Sequence, residues 1–138
     1  MTSSFAKVIS AESITSLEEL QDALKRDKLI MHFDVDWAIQ AFQSRPVIVA
    51  FKEVIERDER HHDVLFRRLD CTAQEGPLWD AVKNWLHEQD ADVSLMFSGY
   101  GAVAWIRSGE VVSAVHWAAQ VGADQLVEKT HIAMTLKP

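Results

Sequence analysis

Apolar and polar positions along this chain follow two periods in turn, and the places where the period changes mark its elements. Ser16-Leu17-Glu18-Glu19 reads as a capping box, a Ser and a Glu three residues later exchanging bonds with orphan amides at a helix start. Leu17, Leu20, Ala23 and Leu24 then share one helical face. Ahead of it, Ala6 to Ser10 is expected as a short edge strand, and Leu29 to Val35 as a central strand buried on both faces. Helical spacing resumes from Ala38 to about Arg57, with Ile39, Phe42, Ile48, Phe51, Val54 and Ile55 as core candidates. Pro46 falls inside that helix, where its missing amide costs about 3 kcal/mol unless the fold accommodates a kink.

Val64 to Leu69 reads as the next strand. Gly76-Pro77 opens a helix with proline at its first position, where no bonded amide is lost, and Leu78, Val82, Trp85 and Leu86 form its stripe. Ala102 to Ile106 and Val111 to Val115 flank Arg107-Ser108-Gly109-Glu110, a hairpin signature. A last helix starts near Asp124, with Leu126, Val127, Thr130 and Met134 inward. The order β-α-β-α-β-α-β-β-α implies an α/β sandwich: a central mixed sheet with helices on both faces and right-handed parallel crossovers.

With 138 residues and no linker, repeat or low-complexity tract, the chain is expected to form a single domain over 1–138. A net charge of −7 weighs against nucleic acid or an anionic membrane surface as partner. The start has no basic segment leading into an apolar stretch, and no run approaches the length of a membrane span, so a cytoplasmic protein is expected. The single cysteine, Cys71, excludes an internal disulfide and any dithiol cycle within the chain.

Among the candidate chemistries, Glu59-Arg60-His61-His62-Asp63 crowds potential ligands together while His32, His87, His116 and His131 are scattered. Adjacent His61 and His62 point in different directions, so the run reads as cations near a helix C-terminus, and no metal site or cofactor is expected. Ser98-Gly99-Tyr100-Gly101 precedes a strand rather than joining a strand to a helix, so it is not a phosphate cradle.

A strand running into a tryptophan and then a helix with an internal proline resembles the thioredoxin superfamily. There the strand ends in Trp-Cys-Gly-Pro-Cys, with a proline nine residues after the tryptophan. Here Trp37-Ala38-Ile39-Gln40-Ala41 stands in the motif position and Pro46 at that spacing; Asp70-Cys71-Thr72 and the Gly109-Glu110 turn are similar as well. The resemblance covers roughly Val8 to Thr130. It departs at the chemistry. Both cysteine positions are alanine, the family's cis-proline position falls at Gly101 after Tyr100, and the usual buried acid lines up with His32. His32 is therefore expected to be a neutral, hydrogen-bonded core histidine. The 31 residues from Asp70 to Gly101 exceed the compact form of the family, with the extra length over about 87–99, near the would-be active edge.

Disulfide exchange needs an attacking thiolate and a second sulfur, and alanine supplies neither, so no catalytic residue and no dithiol oxidoreductase activity are expected. The resemblance implies instead a redox-inactive adaptor or chaperone-like module that binds a protein or a second copy of itself. The surface it implies is the vestigial edge: Trp37, Ala38, Ile39, Gln40, Ala41, Tyr100 and Gly101, with Trp117 filling or walling the groove. The alternative is a monothiol or glutathione-linked role for Cys71, which at a strand end would sit on the same rim as Trp37.

Overall fold

Lys28–Asp34 forms β1, the centre of the sheet in a computed structural model that describes residues 10–137. Both faces of β1 are covered, and the alternation of its side chains builds two cores. Leu29, Met31 and Phe33 point to one and Ile30 to the other. Leu65–Asp70 (β2) pairs parallel with β1, while Ala102–Arg107 (β3) pairs antiparallel with its other edge and Glu110–Val115 (β4) closes the order β2-β1-β3-β4. β3 repeats the division, with Ala102, Ala104 and Ile106 on one face and Val103 and Trp105 on the other.

The first core is roofed by Leu17–Leu24 (α1) and Pro77–Glu88 (α3), through Leu20, Ala23, Trp79, Val82 and Leu86. The second lies beneath Ile39–Arg57 (α2), Ala118–Val121 (α4) and Ala123–Thr135 (α5), through Ile48, Phe51, Ile55, Leu126 and Met134. The result is the expected three-layer α/β sandwich. Fully buried Trp105 donates its indole N–H to Thr130 Oγ1 at 2.8 Å, so the largest core side chain keeps its polar atom satisfied.

Local signals hold in detail. Ser16 Oγ accepts the Glu19 amide at 3.1 Å, though the Glu19 carboxylate reaches back to the Thr15 amide rather than to that of Ser16. Ser108 and Gly109 both have positive φ, 50° and 83°, the two-residue turn whose twist matches the strands it joins. Ser108 is held there by Asp27, which accepts its hydroxyl at 2.8 Å. Arg107 donates to the carbonyls of Ala133 and Leu136, a buried cation closing the C-terminal end of α5.

Other expectations are corrected. Ile39 and Val54 are exposed, and Phe42 is half-buried. The buried stripe of α2 is Ala41, Ser44, Arg45, Ile48, Phe51 and Ile55, because the first turns pack on polar partners that an apolar pattern does not reveal. Leu17 is exposed, and Leu78, Trp85 and Val127 are half-buried. α2 runs unbroken through the exposed Pro46. α4, only four residues long, carries no periodicity to read. The edge strand expected over 6–10 lies outside the described residues except for Ser10. Immediately after it, Ile14 N donates to Arg68 O at 2.8 Å and Arg68 N to Glu12 O at 2.9 Å, a parallel bridge along the free edge of β2. None of the described helices is long and apolar enough to cross a membrane.

Candidate functional site

The loop leaving β1 is tied down on every side. The Val35 amide donates to Asp34 Oδ1 at 2.9 Å, and the Asp36 amide to Thr72 Oγ1 at 3.0 Å. Trp37 Nε1 donates to Thr72 O at 3.2 Å. Thr72 is itself held by Asp70, which accepts its amide at 3.0 Å and its hydroxyl. The Asp70-Cys71-Thr72 segment therefore positions the tryptophan.

Beneath this loop lies a charge cluster that periodicity did not reveal. Asp34, fully buried at the end of β1, receives Arg45 Nε from α2 and Arg68 Nε from β2, the latter at 2.8 Å. Arg45 also reaches Val35 O at 3.1 Å and Asp36 Oδ1 at 2.6 Å, and Arg68 reaches Ser13 Oγ at 3.0 Å. Arg68 also pairs with the exposed Asp70 at 3.9 Å, so the buried Asp34 is neutralised by two guanidinium groups that each hold a second, exposed carboxylate. Every buried charge is paired and hydrogen-bonded, the condition under which buried ions are tolerated.

Ala38 and Ala41 are interior: Ala38 begins α2 as its N-cap and is 9% exposed, and Ala41 is fully buried. Trp37, Ile39 and Tyr100 are 52%, 66% and 38% exposed, and Gln40 is half-buried. The Trp37 ring lies over Gly99, where a Cβ would stand 2.9 Å from its Cζ3. On the next residue, the Tyr100 ring stacks on Trp117 with centroids 5.4 Å apart and planes 25° from parallel. Trp117, half-buried as the N-cap of α4, thus walls the edge.

Gly101 is buried with φ +76°, and a Cβ there would stand 2.5 Å from the Cβ of Ser44. Ser44 Oγ donates to Tyr100 O at 2.7 Å and accepts the Ala119 amide at 3.1 Å. One hydroxyl therefore ties α2, the Tyr100 loop and α4 together in the space that a larger residue at 101 would need.

The segment over 87–99 reaches Trp37 at Gly99 yet leaves it 52% exposed. A single 3-10 turn, Val93–Leu95, capped by Asp92, sends Leu95 and Met96 into the α1/α3 core. Phe97 packs edge-on against Trp79. The edge that results is solvent-facing at Trp37, Ile39 and Tyr100 and backed by alanines and glycine.

Cys71 is 1% exposed. Burial pushes its thiol well above the usual range, and the neighbouring Asp70 and Asp34 charges push it further, so the thiolate needed for attack is suppressed. His32 is fully buried, hydrogen-bonded through Nδ1 to Ser10 Oγ, and its pKa is lowered to about 4 by burial. It is the neutral core histidine expected. Far from the edge, the structure joins two histidines that sequence separates: His61 and His131 meet at 2.8 Å, while His62 turns away to Glu59 O.

No protein-family profile matches this chain, and no curated protein matches it in sequence. Solved structures do match in shape. A point variant of the thioredoxin from Halobacterium salinarum superposes with a TM-score of 0.60 at 19% identity, covering 100% of both chains. The oxidised thioredoxin from Plasmodium falciparum does so at 0.55 and 17% identity, covering 87% of this chain and 97% of its own. At such identities the likeness is one of fold. The chain has the thioredoxin-like fold and, with Cys71 as its single cysteine, lacks a two-cysteine redox motif.

Proposed function

We propose that this is a redox-inactive thioredoxin-like module that binds a protein segment, from a partner or from a second copy, across the edge formed by Trp37, Ile39 and Tyr100. The observation that carries this reading is that Trp37, Ile39 and Tyr100 stand exposed where two loops meet the start of α2, with Trp37 held in place by hydrogen bonds from its indole and the Asp36 amide to Thr72, in a chain whose one thiol is buried. Exposed Asp36 and Asp70 lie on the same rim, and the chain carries a net charge of −7, so the complementary segment is apolar with basic neighbours. A reducing cytoplasm suits a chain whose one thiol is buried and unpaired. Nothing in the burial of Cys71 supports a monothiol or glutathione-linked role.

A photo-crosslinking residue placed at Ile39, which touches no core, tests the reading in the native cell. One defined adduct, either to a partner or to a second copy, is expected, and it should disappear when Trp37→Ala is added. Diffuse labelling that ignores Trp37→Ala defeats the proposal.

A further inference from the structure

At the opposite end of α2 from the aromatic edge, three side chains converge from separate parts of the chain. Asp58 caps α2, His61 ends the 3-10 turn that follows, and His131 lies on α5, 70 residues away. The 19-residue helix between the two ends spans about 28 Å, so this cluster is independent of the edge. His61 Nε2 faces His131 Nδ1 at 2.8 Å, with the rings stacked at 5.0 Å and 19°. One ligand atom from each of Asp58, His61 and His131 lies within 4.8 Å of the other two.

We propose that Asp58, His61 and His131 form a binding site for a divalent transition metal of the zinc class, with two imidazole nitrogens and one carboxylate oxygen as ligands and the remaining position left to water or an external donor. Three protein ligands of this composition, plus one open position, suit an ion that accepts nitrogen and oxygen donors alike. A four-coordinate ion with bonds of about 2.0–2.1 Å holds its ligand atoms about 3.3 Å apart, so the two nitrogens separate by about half an ångström and the Asp58 oxygen, within 4.8 Å of both, closes toward that spacing. Rotation of the half-buried His131 supplies that movement, while His61 is fixed by burial.

The protonation states agree with the geometry. Burial first, and His131 second, lowers the His61 pKa, which favours the neutral imidazole that a metal requires. Arg60 holds the Asp58 carboxyl far below its usual range and keeps it ionised. Asp58 Oδ1 accepts the Arg60 amide and Nε, both at 3.0 Å, and Oδ2 accepts Nη2 at 2.6 Å and shares Nε at 3.2 Å, so the ion takes the lone-pair position on Oδ2 that the shared Nε leaves. His131 carries the pattern that sequence spacing could not show, because its partner is brought to it by the packing of α5 against α2.

The test uses the untagged full chain, stripped with a chelator and titrated with Zn²⁺ by calorimetry and with Co²⁺ by visible absorption. One equivalent of Zn²⁺ is expected to bind and raise the melting temperature. Co²⁺ should give the visible bands of a low-coordinate N/O site, which Zn²⁺ then erases. His131→Gln and Asp58→Asn should each weaken binding at least about tenfold. His62→Gln and His87→Gln, at exposed histidines outside the cluster, should leave it unchanged. His131→Gln is checked for folding by circular dichroism, since His61 variants disturb a buried position. Failure of the wild type to take up Zn²⁺ even at millimolar concentration overturns the proposal, as does unweakened binding by a folded His131→Gln.

Discussion

Arg45 Nε donates to both carboxylate oxygens of Asp34, at 3.1 and 2.9 Å, and so fastens α2 to the centre of the sheet directly under Trp37. Removing Asp34 leaves two guanidinium groups, of Arg45 and Arg68, facing each other without their shared anion. Asp34→Ala should therefore destabilise the fold by about 3–5 kcal/mol. Arg45→Met should cost less, because Asp34 keeps Arg68. Urea unfolding of the two variants checks both the size and the order.

Gly101 is confined by backbone and by space. A side chain at φ +76° costs about 1 kcal/mol, and its contact with Ser44 at 2.5 Å adds the strain of overpacking, about 1–3 kcal/mol. Gly101→Ala should lower stability by about 2–4 kcal/mol. Introducing it into a Ser44→Gly background should recover the steric part but not the backbone part, a coupling that a double-mutant cycle measures directly.

His32 makes stability depend on pH in a defined window. Its folded pKa of about 4 lies below the ordinary 6.5, so below pH 6.5 the unfolded chain takes up a proton that the folded chain refuses. The stability present above pH 6.5 is lost as pH falls to about 4, by about 3 kcal/mol from this residue, and the loss stops growing below that. His61, also lowered by burial, contributes in the same direction. The informative measurement is the difference between wild type and His32→Leu in chemical denaturation from pH 7 to 4, which should show a slope belonging to His32 alone.

Cys71 should behave as packing rather than as a reagent. With the thiol buried and its ionisation suppressed, a thiol-specific reagent should label the folded chain at least roughly a thousandfold more slowly than the unfolded one. Cys71→Ala should leave every binding property unchanged, and the wild type should not reduce insulin. Rapid stoichiometric labelling under native conditions would return the thiol to consideration.

How much of this was legible beforehand depends on the kind of interaction involved. The strands around Met31 and Trp105, the Ser16 cap and the Ser108-Gly109 turn were readable because periodicity, capping and turn chemistry are local. The thioredoxin-like fold was readable through the element order around Trp37 and Pro46. The Asp34–Arg45–Arg68 cluster was not, since a buried ion pair looks like solvated polar letters until three elements close around it. Ile39 misled for the opposite reason: an apolar residue at the right helical phase was assigned to the core, although the edge where α2 begins has no layer above it. The meeting of His61 with His131 is a property of α5 docking on α2, and no short-range pattern encodes it.

The Ser44–Gly101 contact also bears on how this sequence can change. A proline at 101 would need both a negative φ in place of +76° and the volume that Ser44 now fills. Neither substitution is favourable alone, since shrinking Ser44 forfeits the bridge to Tyr100 and Ala119 before any gain is realised. The contact therefore works as a ratchet: a proline at 101 is at least two concerted changes away, and introducing cysteines at positions 38 and 41 would leave this corner of the edge shaped by Ser44 and Gly101 as it is now.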